Sequence, residues 1–313
     1  WIYRRATLAL TLAVSLMAGC SDENTAAALP TTEVEPPAVR TFNLIQGNDR
    51  NTKAHPLLAQ NPGGPAGATN QSLRAADILQ GTGGDDLVIG GLGPDVLIGG
   101  EGDDILIGGT EDFNSSVDGD NRGADDRDRA FGNAGNDTFI WAPGDGSDFF
   151  DGGEGTDVVI FGLIGEQRNA AGETEGAPFF AVSAPGTPGS QDFDGIFVTP
   201  ENQPRVNVSG SPGFCSVLDP VAHRDAFAEL GIDHIVRFSL RAIANAFDAG
   251  QRSDDDGLRV AITLKNTEFV VCTRRDVLPD GGLANVDVLD LRSGVPVAAT
   301  LADLPAYVQA LIQ

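Results

Sequence analysis

The chain has 313 residues, enough for one large domain or two modest ones, and its 45 acidic and 20 basic residues leave a net charge of −25. That balance excludes a nucleic-acid surface, because no basic patch is available to neutralise phosphates. The charge is also uneven: 20 of the acids but only three arginines (Arg122, Arg127 and Arg129) fall between Asp77 and Ile160.

Opening on Trp1 rather than Met, the chain is expected to start short of its initiator or at an alternative initiation codon. Arg4 and Arg5 precede an apolar run from Ala6 to Ala18, too short to span a bilayer permanently. A basic start, an apolar run and small residues at its end read as a secretory signal peptide over residues 1–19. Its last residues, Leu16-Met17-Ala18-Gly19-Cys20, resemble a bacterial lipobox, with Met17 where Leu is commonest. The resemblance implies cleavage before Cys20 and acylation of its thiol and new amine, which anchors the protein firmly to a membrane. Ser21 does not resemble an inner-membrane retention signal, so the protein is expected to be exported to the cell envelope, at the outer membrane or cell surface, with the extracellular space as the alternative.

Residues 20–40 are rich in Thr, Ala, Glu and Pro and read as a solvated tether. Residues 41–71 carry scattered apolar side chains (Phe42, Leu44, Ile45, Leu57, Leu58) and an NPGGPAG cluster. They are expected to form a loop-rich N-terminal cap, with His55 as a loop residue.

From Gly81 to Ile160 a nine-residue period recurs: GTGGDDLVI, GGLGPDVLI, GGEGDDILI, then GADDRDRAF, GNAGNDTFI, PGDGSDFFD and GGEGTDVVI. Gly recurs at positions 1, 2 or 4, Asp at position 6 and an apolar residue at position 8. The sixth-position acids are Asp86, Asp95, Asp104, Asp128, Asp137, Asp148 and Asp157, with Asp77 in a weaker leading copy. Six Gly, Asp and small polar residues make a tight turn, and three apolar residues make a short strand. Position 8 (Leu79, Val88, Leu97, Leu106, Phe139, Phe150, Val159) then points into a narrow interior. With two repeats per coil, repeat n lies on repeat n+2, and successive sixth-position acids come within roughly 4.8 Å. Bare carboxylates at that spacing repel by about 1 kcal/mol in water and by several at an effective dielectric of about 20. The repeat opposes its own folding unless a cation sits between the turns. Carboxylates and crowded carbonyls are the hard oxygen donors that Ca²⁺ prefers.

The nonapeptide resembles the signature of RTX, or haemolysin-type, calcium-binding repeats; GGEGDDILI and GGEGTDVVI match it in full. The resemblance implies a fold that is mainly β, a calcium-binding parallel β-roll (a two-sheet solenoid) over residues 72–161. It also implies several Ca²⁺ ions, held by the eight sixth-position acids and by turn glycines: Gly84, Gly91, Gly93, Gly100, Gly102, Gly135, Gly146, Gly153 and Gly155. An insertion at residues 110–122 separates the two halves of the array. Within it, Asp118-Gly119-Asp120 echoes an EF-hand loop, but Arg122 and Arg129 stand where oxygen ligands are required, so that reading is rejected.

Residues 162–176 are polar and Gly-rich and read as a linker. Residues 177–313 have ordinary globular composition and read as an α+β module. Asp219-Pro220 and Gly231 bracket an expected first helix, which carries His223. Val236, Leu240, Ile243 and Phe247 follow helical spacing, with Asp233 as the cap and His234 near the start. Leu258, Val260, Ile262 and Leu264 alternate like a strand that Asn266 turns back into Phe269–Cys272, and Thr300 to Leu311 reads as a final helix. Cys215 and Cys272 are expected to form a disulfide in an exported protein.

The sequence contains neither H-E-x-x-H nor G-x-S-x-G, and Asp254-Asp255-Asp256-Gly257 reads as a solvated turn. Two functional classes remain. In one, the roll is a calcium-stabilised structural or adhesive element and the C-terminal module binds a surface protein or polysaccharide. In the other, that module is a hydrolase of unrecognised type and the roll aids its folding outside the cell. The membrane is a partner through the lipid anchor only.

Overall fold

The computed structural model describes residues 40–46, 78–91, 94–109, 127–143, 145–164, 167–168, 174–175, 201–251, 260–276 and 282–312. The signal peptide, the tether up to residue 39 with Cys20, and His55, Asp77, Gly93, the 110–122 insertion and Asp254–Gly257 lie outside the described residues.

A short strand, β1 (Asn43–Gln46), precedes the repeats. The repeats supply β2 (Ile78–Gln80), β3 (Asp86–Gly91), β4 (Val96–Glu101), β5 (Ile105–Gly109), β6 (Arg129–Ala134), β7 (Thr138–Trp141), β8 (Phe149–Glu154) and β9 (Val158–Phe161). Successive repeats alternate between two sheets, and each strand pairs in parallel with the strand two repeats on. The protein is mainly β, and its repeats form a parallel two-sheet roll. The register aligns position 8 along each sheet: Val88, Leu106, Phe139 and Val159 in one, and Leu79, Leu97, Ala130 and Phe150 in the other. These side chains meet between the sheets in one core, as the alternation of a three-residue strand requires. Phe139 stacks on Phe150 there, with ring centroids 5.5 Å apart.

After β9 come β10 (Leu163–Ile164), β11 (Gln167–Arg168), β12 (Thr174–Glu175), β13 (Val206–Asn207) and β14 (Gly213–Val217). They are followed by α1 (Arg224–Leu230), β15 (His234–Leu240), α2 (Arg241–Asp248), β16 (Val260–Lys265) and β17 (Phe269–Thr273). The chain ends with β18 (Val286–Asp290), β19 (Val297–Ala299) and α3 (Ala306–Leu311), with 3-10 turns at Gly282–Asn285 and Leu301–Asp303. The first sheet runs β1-β3-β5-β7-β9-β17-β18-β19, and the second runs β14-β15-β16-β8-β6-β4-β2.

No break in the sheets falls at Phe161. β16 pairs in parallel with β8 and β17 with β9, so the C-terminal residues extend both sheets of the roll and are not a free-standing module. Within the expected linker, Leu163 and Ile164 are buried and pair with Val206 and Asn207. The first residues of the expected cap are strand, not loop: β1 pairs in parallel with β3, and Phe42 is buried beside it.

The two sheets differ on their outer faces. Positions 7 and 9 of the first sheet (Leu87, Ile89, Ile105, Ile107, Ile140, Val158, Ile160) are buried in a second core with Phe42, Val206, Val208, Leu304, Val308 and Leu311. On the second sheet those positions are polar or partly exposed, and Ile78 is 76% exposed. The chain beyond residue 200 therefore also covers one face of the roll. Tyr307 on α3 fastens that cover: its hydroxyl lies 2.9 Å from Thr138 Oγ1 and donates to the Asn136 carbonyl.

Several C-terminal expectations are corrected. The first helix begins at Arg224 rather than at Pro220, because the Asp219 carboxylate accepts the Val221 amide at 2.8 Å and holds a turn there. It ends at Gly231 with φ 68°, as expected. The helix expected from Val236 to Phe247 is a strand followed by a helix. Val236, Phe238 and Leu240 also alternate, and pairing with β14 and β16 on both sides favours the strand. His234 is thus buried on β15, and His223 stands just before α1. Val260–Lys265 is a strand as expected, but Asn266 does not make a hairpin; it passes the chain from the second sheet to the first, as a roll turn does. The final helix breaks at Pro305. Cys215 and Cys272 are neighbouring free thiols in the inter-sheet core, with no bond between them. Burial, with the Cys272 thiol beside it, pushes the Cys215 thiol well above its usual range.

Candidate metal centre

The turns that precede the strands stack into two rows. Asp86, Asp104, Asp137 and Asp157 form one row, and Asp95, Asp128 and Asp148 the other; each is 2% exposed or less. In every rung the Oδ1 atom accepts the amide of the corresponding Asp one coil earlier. The Asp86, Asp104 and Asp137 amides donate to Asp104, Asp137 and Asp157 at 2.8, 2.8 and 2.7 Å. The Asp95 and Asp128 amides donate to Asp128 and Asp148 at 2.7 and 2.9 Å. Seven of the eight sixth-position acids are therefore brought together as the period predicts, and Asp77 is outside the described residues.

The second carboxylate oxygen has a different fate. The Oδ2 atoms of Asp104, Asp137 and Asp157 are buried and accept no hydrogen bond. They point at the first-position glycine of their own turn. A Cβ on Gly132 would lie 2.2 Å from Asp137 Oδ2 and 2.4 Å from the Gly152 carbonyl; one on Gly99 would lie 2.3 Å from Asp104 Oδ2 and 2.9 Å from the Gly132 carbonyl. Each rung thus presents a carboxylate oxygen and the carbonyl of the next coil to one point, over a residue that cannot carry a side chain. Buried oxygens with no proton donor are what a hard cation requires. The donor set fits calcium.

Asp86 differs: its Oδ2 accepts the Thr82 amide at 2.6 Å and the Thr82 hydroxyl at 3.0 Å, so Thr at position 2 satisfies the first rung internally. Among the other glycines expected to contribute, Gly102, Gly135, Gly146 and Gly155 lie in the turns at positive φ, Gly100 and Gly153 lie at positive φ near the ends of β4 and β8, and Gly84 lies in the first turn. Gly91 pairs with Gly109 at a strand end, and Gly93 is not among the described residues. Only a glycine fits where Gly155 stands, at φ 143° and with a Cβ site 1.7 Å from the Gly135 carbonyl.

Sequence reasoning overlooked three features. The first-position glycines (Gly81, Gly90, Gly99, Gly108, Gly132, Gly152) were passed over, although the period marks them. Asp145, in the repeat that carries Asp148, joins Asp128 and Asp148 in a buried group whose carboxylate oxygens lie within 4.8 Å of one another. Position 5 carries its own ladder: Asp103 donates its amide to Asp85, Asn136 to Asp103 and Thr156 to Asn136, at 3.0, 2.8 and 3.0 Å. Arg40 ion-pairs with Asp85 and Asp103 at the end of that ladder.

Burial pushes the Asp137 carboxyl up to about 8, with the amide of Asp104 pulling down and the charges of Asp157 and Asp104 pushing further up. Burial likewise raises Asp104 and Asp157 to about 7. Asp148 is raised well above its usual range by burial and then by Asp128. Asp103 moves the other way: burial works against ionisation, but the Asn136 amide and Arg40 outweigh it.

The family of RTX calcium-binding nonapeptide repeats, in four copies, matches residues 76–112, 122–140 and 144–163. The roll is built of RTX calcium-binding repeats. Such repeats bind Ca²⁺, and the stacked rungs are where this chain holds its oxygen donors. The matched segments end at residue 163, so the strands that extend the sheets beyond it lie outside the repeats. No curated protein and no solved structure matches the chain.

The raised carboxyls set a pH dependence for the calcium-free roll. Their values in the folded state exceed the unfolded value of about 3.9, so the folded rows hold protons that the unfolded chain has released. Their contribution is fully present below about pH 4 and is lost as pH rises through 7 to 8. Calcium-free protein is predicted to retain more β signal and melt at a higher temperature at pH 5 than at pH 8. The opposite order would contradict the burial of these carboxylates.

Proposed function

We propose that the protein is exported, held at the cell envelope by lipid on Cys20, and folded outside the cell by calcium as a structural or adhesive element facing a surface protein or polysaccharide. One observation carries the calcium part: Asp104, Asp137 and Asp157 each bury an oxygen that accepts no hydrogen bond from the described residues. A row of such groups stays ionised and folded near neutral pH only with cations between its rungs. Extracellular sites of this oxygen chemistry bind calcium at roughly 10⁻⁴ to 10⁻³ M, far above the free calcium inside a cell, so folding follows export. The signal-like run before Cys20, the lipobox-like Leu16–Cys20 and the Thr/Pro-rich residues 20–40 support export and anchoring.

Excess chelator at pH 7.5 is predicted to abolish most of the far-UV β signal, and added calcium to restore it; an unchanged spectrum in chelator would sink the reading. For the anchor, Cys20→Ala should move the protein from the detergent-soluble envelope fraction to the aqueous one. Retention of the variant in the envelope would show that some other element holds it there.

A further inference from the structure

The repeats end at residue 163, but the ladder of rungs does not. β16 and β17 stack in register on β8 and β9, which lays the turn from Asn266 to Glu268 over the turn from Gly152 to Asp157. Asn266, at φ 46°, carries its carbonyl to 2.3 Å from the Cβ site of Gly152, the place the Gly152 carbonyl takes over Gly132. Glu268 Oε2 accepts the Asp157 amide at 2.8 Å, the role of the next Asp in every earlier rung. Phe269 donates its amide to the Asp157 carbonyl at 3.0 Å, as Val158 does to Asp137 at 2.9 Å. The new turn reaches its acid in two residues where a repeat takes five, and the extra methylene of Glu supplies reach that Asp lacks. Nonrepeat residues thus rebuild a whole rung.

That rung also shares the unsatisfied oxygen of its neighbours. Asp157 is fully buried, and its Oδ2 accepts no hydrogen bond. It lies 2.4 Å from the Cβ site of Gly152, aimed at the same point as the Asn266 carbonyl. Glu268 and Asn266 line an open cleft of about 650 Å³ with Asp233, Thr267 and Arg292.

Building on the calcium reading above, we infer that Asp157 Oδ2, the Asn266 carbonyl and the Glu268 carboxylate form a further Ca²⁺ site, outside the repeats, that locks β16 and β17 onto the roll. Folding of the chain from Val260 onward is then tied to the same ion that completes the row.

Equilibrium dialysis with radioactive calcium on the full chain tests this. Glu268→Gln should bind one ion fewer per molecule than the parent, while Glu229→Gln, on the exposed side of α1, binds as many as the parent. An unchanged count in Glu268→Gln overturns the site. Because that variant could misfold, a second measurement uses the parent: anomalous diffraction from crystals of the full chain soaked in Tb³⁺. A peak between Asp157 and Glu268 supports the site, and peaks only between repeats overturn it while leaving the calcium roll intact. Absence of any peak in the rows, with no calcium bound in dialysis, overturns the calcium reading itself.

Discussion

Like charges stacked at the spacing of a β-sheet govern this structure. Two rows of aspartates lie at successive coils, sealed from water, with one carboxylate oxygen of Asp104, Asp128, Asp137, Asp148 and Asp157 taken by a backbone amide. The amide ladder fixes the spacing, so the carboxylates cannot spread apart to relieve their repulsion. The remaining oxygens converge with carbonyls over glycines that leave no room for a side chain. Repulsion, desolvation and crowding are all unfavourable without a cation, and a divalent ion between rungs turns each of them into a favourable contact. The narrow core of position-8 side chains supplies the registration that makes the rungs coincide.

A solenoid of this type must also finish its ends and faces, and the rest of the chain does so. β1 covers the first coil of one sheet, and β17 and β16 add a coil at the far end of both. Beyond them the pairing turns antiparallel, through β18 and β19 in one sheet and β15 and β14 in the other. α3 and the segment near Val206 bury the apolar outer face of the first sheet, leaving the more polar face of the second sheet open. The buried Tyr307 ties this cover to the turn between Asn136 and Thr138, beside the rung of Asp137.

The roll was legible because its period is a physical repeat: glycine, aspartate and apolar positions recur at the spacing with which turns and strands recur. Phe139, Asp137 and Gly135 could each be placed from phase alone. The added coil was not legible, because β16 and β17 lack glycine and aspartate in phase and their turn is three residues shorter, so Glu268 has no motif to announce it. Val236–Leu240 failed for another reason. Its apolar residues satisfy both a helical and an alternating pattern, and only the neighbouring strands decide between them. Cys215 and Cys272, expected to form a disulfide, are neighbouring free thiols in the core.

The central claim, that calcium replaces protons on buried, stacked carboxylates, is tested most directly by calorimetric titration with calcium in two buffers of different ionisation heat. The carboxyls of Asp104, Asp137 and Asp157 lie at about 7 to 8 without metal. Binding at pH 5.5, where the calcium-free roll is folded with these three carboxyls protonated, should therefore release protons, and their release should disappear at pH 9, where they are already ionised. Calcium uptake with no proton release at pH 5.5 would contradict the account.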